Sequence, residues 1–110
     1  MKDSPSDTQK PLVTVVIPFF NRIEVTLRAI ESVVNQSYAN LEILAIDDGS
    51  TEDTSQIHKY AQRDSRIKVI VGPNHGPAHA RNIGINSSTG HYIAFLDSDD
   101  TWSQEKIELQ

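Results

Sequence analysis

The chain contains no cysteine. Disulfide staples and thiolate-bound zinc are therefore excluded, and a reducing compartment is the fitting setting. Positive charge is also scarce: ten Lys and Arg face fifteen Asp and Glu, for a net charge of -5. That balance argues against general nucleic-acid binding, which wants a basic face. No apolar run approaches the length of a membrane span. The opening residues, MKDSPSDTQK, are polar and carry no apolar core of a secretory signal. Internal repeats and low-complexity segments are absent, as are a P-loop and the G-x-G-x-x-G turn of nicotinamide-binding domains.

What remains is an ordinary globular composition, 37% hydrophobic and 23% charged over 110 residues, enough for one domain. Residues 1–10 read as a flexible tail and 11–110 as the domain. The expected location is the cytoplasm, or the cytoplasmic face of a membrane if a longer parent protein is held there.

From Leu12 the text becomes strand-like. LVTVVIP is a β-branched run that Pro18 is expected to end. Phe19, Phe20 and Asn21 form a turn, with Asn21 a candidate cap for a helix whose Ile23, Leu27, Ile30 and Val34 make one apolar stripe. That helix stops near Asn35–Ser37. Leu41–Ile46 is a second strand closing on Asp47, Asp48, Gly49 and Ser50, and Ser50 or Thr51 is expected to cap a second helix. Arg66–Val71 is a third strand. A third helix starts at Pro77, a good first-turn residue, and runs to Ser87 or Ser88 before Gly90. Tyr92–Leu96 is a fourth strand, and a last helix is expected from Ser103.

Strand and helix thus alternate three times before a fourth strand. The fold expected is α/β: a Rossmann-like parallel sheet with helices on both faces, truncated after the fourth strand. In such sheets ligands bind beyond the carboxyl ends of the strands. The polar residues gather there: Asn21, then Asp47 and Asp48, then the Asn74–Asn82 segment with Arg81, then Asp97, Ser98, Asp99 and Asp100. Three carboxylates within four residues repel one another unless a cation sits among them. Oxygen donors at the end of a buried strand suit Mg²⁺ or Mn²⁺. The plainer alternative is an acidic loop capping the next helix.

Other readings fit less of the chain. Asp97-x-Asp99-x-Thr101 matches the nucleophile signature of haloacid-dehalogenase-like phosphatases, with Asp97 attacking and Asp99 as acid/base, but leaves three preceding strand–helix units unexplained. An EF-hand with Asp97, Asp99, Thr101 and Glu108 fails because Trp102 stands where Gly is needed. Zinc on His75 and His79 fails because Gly76 and Pro77 put His75 outside the helix and no third ligand is evident. Trp102 walls the site or covers the core. A non-catalytic nucleotide-binding or assembly module is the alternative from another functional class.

Four segments carry a resemblance: VTVVIPFFNR (Val13–Arg22), AIDDGSTEDT (Ala45–Thr54), GPAHARNIGI (Gly76–Ile85) and GHYIAFLDSDDTW (Gly90–Trp102). In order and spacing they resemble the N-terminal half of a family 2 glycosyltransferase, of the GT-A fold, inverting and dependent on nucleotide sugars. The resemblance implies Pro18 and Asn21 along the nucleoside, Asp48 on the base and Arg81 against the nucleotide. It makes Asp97-Ser98-Asp99 the DxD motif, Asp99 the principal metal ligand and Asp97 nearer the ribose or sugar, with Asp100 a further contributor. The implied cofactor is Mn²⁺ or Mg²⁺. The implied partners are a nucleotide-diphosphate sugar donor and a saccharide or other hydroxyl acceptor, in polysaccharide biosynthesis. No catalytic residue is expected in this chain, because the family's base lies beyond Gln110, and turnover by these residues alone is not expected. The fourth strand should present an unpaired apolar edge, a route to a homo-oligomer.

Overall fold

The computed structural model describes residues 10–101. Its seven elements are β1 (Val13–Phe19), α1 (Ile23–Val34), β2 (Leu41–Asp47), α2 (Ser55–Ala61), β3 (Ile67–Val71), α3 (Pro77–Ser87) and β4 (Tyr92–Phe95). The strands form one parallel sheet in the order β3-β2-β1-β4. Trp102 and the helix expected from Ser103 lie outside the described residues, as does most of the expected tail.

The two central strands are buried along their whole length, which their β-branched content favours. Alternation sends successive side chains to opposite faces. Val13, Val15, Ile17 and Phe19 meet Ala29, Ile30 and Val33 of α1 and Ile57 of α2. Val16, Leu44 and Ile46 meet Ala80 of α3, with Ile70 and Ile83 alongside. Each fully buried valine, leucine or isoleucine among these contributes roughly 1.5–3 kcal/mol through lost contact with water. Helix α3 lies close on the sheet because Gly84 faces Val16; a Cβ there would collide with the valine side chain.

The chain steps outward from β1 to β2 to β3, then returns across both to place β4 on the far side of β1. With right-handed crossovers, reversing the direction of travel moves the connecting helix to the other face. That is why α3 packs opposite α1 and α2. The strand order reverses between β1 and β4, and the carboxyl ends of those strands form the crevice where α/β sheets bind ligands.

Pro18 sits inside β1, opposite Ile46, instead of ending it. The β1–β4 pairing stops at Val16 and Phe95, and the next bond is Leu96 N–H to Val16 O at 3.1 Å. A residue 18 amide would continue that ladder, and proline has none to give. The strands therefore part after Leu96, releasing Asp97–Asp100 from the sheet.

At the opposite end, Glu42 is 6% exposed. One of its oxygens accepts from the Thr14 hydroxyl and the Thr89 amide, both at 2.8 Å. The other accepts from the Thr89 hydroxyl at 3.0 Å and Lys68 Nζ at 3.4 Å. Burial pushes this carboxyl up, and those hydrogen bonds outweigh it, holding it below the usual glutamate range. The Gly90 amide donates to Thr14 Oγ1 at 2.9 Å. Gly90 thus serves a close approach to β1, not the end of α3, whose last cap is Ser88.

The expected helix starts are corrected as well. Neither Asn21 nor Ser50 nor Thr51 caps a helix: α1 follows Arg22 and α2 follows Thr54, in both cases without a side-chain cap. Among the described residues β4 pairs only with β1. Tyr92 and Phe95 are 63% and 45% exposed on that outer strand, the unpaired apolar edge expected from the sequence.

Candidate functional site

The carboxyl ends of the strands carry a cleft of about 280 Å³. Pro18, Phe19, Phe20 and Arg22 come from the end of β1, and Asp48 follows β2. Pro77 and Arg81 come from α3, and Asp97, Ser98 and Asp99 from the segment after β4. Of the sequence-expected residues, Pro18, Asp48, Arg81, Asp97 and Asp99 thus share one cavity.

Asn21 is not among the residues that line that cavity. Its Oδ1 accepts from the amides of Thr51 and Glu52, both at 2.9 Å, and its Nδ2 donates to Thr51 Oγ1 at 3.2 Å. Its own amide donates to Ser50 Oγ at 2.7 Å, while the Arg22 amide reaches Glu52 Oε1 at 3.2 Å. This latch joins the β1–α1 and β2–α2 loops. It holds two consecutive non-glycine residues in the left-handed region, Asn21 at φ 55° and Arg22 at φ 56°. Such a conformation costs about 1–2 kcal/mol per residue and persists only where the surroundings over-determine it.

Asp48 is 6% exposed. Its carboxylate accepts the amides of His75 at 3.0 Å and Gly76 at 3.1 Å, one on each oxygen. This ties the loop before α3 to the end of β2. Each oxygen keeps a second lone pair for a ligand donor. The same loops touch at Gly49, φ 78°, where a Cβ would stand 2.7 Å from Asn74 Cβ. Only glycine combines that dihedral with that contact.

Arg81, in the second turn of α3, makes no ion pair among the described residues, so its guanidinium is free to meet an anion in the cleft. The Arg–Asp pair that forms at this rim instead joins Arg22 to Asp99, at 3.9 Å with side chains 60% and 56% exposed. Arg22 is the residue that sequence reading missed. Its signal was its position, one residue beyond Asn21 at the carboxyl end of a central strand. Phe20, 43% exposed in the same cleft, was also passed over.

Asp97, Asp99 and Asp100 each offer an oxygen, and these lie within 4.8 Å of one another. Asp100 N–H bonds to Asp97 O at 3.0 Å, folding the segment into a turn. A compact set of carboxylate oxygens fits a hard divalent cation. The His75 and His79 rings do lie close, with centroids 5.0 Å apart and planes tilted by 46°. No third ligand joins them among the described residues.

A parallel α/β sheet with its polar groups at a strand-order reversal defines a Rossmann-like domain of the GT-A type, the fold that its structural relatives share. The model of glycosyl transferase family 2 matches residues 14–110, and the chain belongs to that family. An uncharacterized glycosyltransferase of Rickettsia bellii is 53% identical over 98 residues, covering 89% of this chain and 14% of the relative. Staphylococcus aureus TarS, residues 1–349, solved in complex with UDP, superimposes with a TM-score of 0.79 and 26% identity. That match covers 87% of this chain and 30% of TarS 1–349. The mannosyltransferase PcManGT of Pyrobaculum calidifontis, solved with GDP-Man and Mn²⁺, gives a TM-score of 0.79 and 27% identity. There the match covers 90% of this chain and 30% of the other. The chain therefore spans less than a third of each of these relatives. Family membership replaces the phosphatase reading of Asp97 and Asp99.

Proposed function

We propose that the chain binds a nucleotide-diphosphate sugar as the donor for inverting transfer to a saccharide or other hydroxyl acceptor. The observation that carries this is one cleft, at the reversal of strand order, shared by Asp48, Arg81 and the Asp97–Asp99 carboxylates. In this reading Pro18 and Phe20 flank the nucleoside, and the exposed Phe20 ring offers its face to the base. Asp48 takes a base N–H on a free lone pair. Arg81 meets the nucleotide's negative charge, aided by the N-terminal end of α3. Asn21 fixes the loops that shape the cleft.

Asp99, with Asp97, would hold Mn²⁺ or Mg²⁺, whose charge offsets that gathering on the diphosphate as it leaves. Asp97 also faces the ribose or sugar. The UDP bound to TarS and the GDP-Man and Mn²⁺ bound to PcManGT support this reading by likeness. Carboxylates committed to a cation are poor bases for an acceptor on the opposite face of the sugar. In this reading Asp97 and Asp99 serve the donor and its cation and are not the base that takes the acceptor's proton. The cytoplasm is the proposed location, and the absence of cysteine supports it; no described helix is long and apolar enough to cross a membrane. The open edge of β4 is the proposed place for a second copy to pair.

Titration calorimetry with UDP, GDP and TDP, with and without Mn²⁺, tests the donor site. Binding of at least one nucleotide that strengthens with metal is expected. A folded sample that binds none of them, or binds with no metal dependence, refutes the reading.

A further inference from the structure

We propose that Arg22 is a tethered cation that competes for Asp99 until a diphosphate draws it away, so that the nucleotide strengthens divalent-metal binding. This rests on the donor-site reading above. Three observations converge on it. The backbone at Asn21 and Arg22 is held in the left-handed region by bonds to a loop thirty residues on. Strain maintained in this way marks a position where direction matters more than local stability. It roots the Arg22 side chain at the rim of the cleft, and the guanidinium reaches Asp99 at 3.9 Å.

Second, the cleft holds two guanidiniums with unequal attachments. Arg81 has no ionic partner among the described residues, whereas Arg22 already neutralises part of the Asp97, Asp99 and Asp100 cluster. A guanidinium on Asp99 and a divalent ion on the same carboxylate repel each other, so the two compete. Third, the Arg22–Asp99 pair is long and largely exposed, the kind of contact that exchanges readily. A diphosphate offers the guanidinium a stronger, bidentate partner. Its arrival moves Arg22 from Asp99 to phosphate, opening the carboxylate and adding an anion beside it. Metal and nucleotide then strengthen each other by the same factor.

The test is a Mn²⁺ titration followed by electron paramagnetic resonance on the full chain, with and without saturating UDP or GDP. Wild type is compared with Arg22→Gln and, as a control for loss of one nearby positive charge, Arg81→Gln. Arg22→Gln should bind Mn²⁺ alone about two- to five-fold tighter than wild type, the range an exposed pair can withhold. Arg81→Gln should shift less. Arg22→Gln should also lose part of the nucleotide's enhancement of metal binding, and should bind inorganic pyrophosphate more weakly in the absence of metal. Equal shifts in the two variants, or a Arg22→Gln curve that overlays wild type, overturn the assignment of Arg22 alone. A wild type that binds no nucleotide with Mn²⁺ refutes the donor site itself, and this inference with it. The Arg22 side chain is mostly exposed, so the fold survives its replacement, and a circular dichroism melt at the wild-type midpoint checks this.

Discussion

Replacing Asn21 by alanine removes three side-chain hydrogen bonds, to the Thr51 and Glu52 amides and to Thr51 Oγ1. It also leaves at φ 55° a residue with no side chain to favour that conformation. Hydrogen bonds of this kind contribute about 0.5–1.5 kcal/mol each, and exposed ones sit at the lower end. Three of them give roughly 1.5–2.5 kcal/mol. Alanine adds about 1 kcal/mol for the left-handed backbone. Asn21→Ala should therefore lose about 2.5–3.5 kcal/mol. Asn21→Gly loses the same hydrogen bonds but meets no left-handed penalty, although glycine's freer unfolded chain takes back part of that relief. Urea unfolding of the two variants separates the contributions, because the slopes should match wild type while the midpoints differ. Glycine should come out the more stable of the two. Equal midpoints for alanine and glycine would refute the strain argument, and losses below about 0.5 kcal/mol in both would refute the latch.

Glu42→Gln should destabilise the protein by about 1–3 kcal/mol at pH 7, since it removes the charge that four donors address. The folded carboxyl lies below its ordinary value, so its contribution is fully present above about 4.5 and fades as pH falls through the lowered folded value. Melts of wild type and Glu42→Gln should therefore converge in that acid range, and a gap that persists there would contradict the assignment. Gly84→Ala should cost about 1–3 kcal/mol through overpacking against Val16. Val16→Ala in the same chain should recover part of that loss in a double-mutant cycle, and strict additivity would show that the two do not meet.

The alternation of strands and helices was legible because each element carries its own period. LEILAI and PAHARNIGINS sit where their patterns place them, within a residue or so at each end. The meeting of the loops was legible too, since a parallel sheet brings all its carboxyl strand ends to one rim. The failures share a cause, namely polar groups whose partners are far away in sequence. Ser50 and Thr51 look like helix caps locally, yet Asn21 claims both and Asp47 Oδ1 takes the Ser50 amide at 2.7 Å. Helix α2 consequently starts at Ser55, where Asp53 Oδ1 accepts the Ser55 amide at 2.9 Å. Pro18 reads as a strand stop, but its missing donor ends only the pairing with β4, while β1 continues beside β2 through Pro18 and Phe19. Arg81 drew attention as the cation on a helix, while Arg22 was hidden by a turn whose left-handed pair of residues no local pattern announces.

The most direct test of the central claim is where a paramagnetic metal–nucleotide complex sits on the chain. Substoichiometric Mn²⁺ added with UDP or GDP to an isotopically labelled sample should broaden the amides around Asp97–Asp100 first, followed by those near Asp48 and Arg81. Broadening centred elsewhere on the surface, or unchanged by Asp99→Asn, would contradict the account.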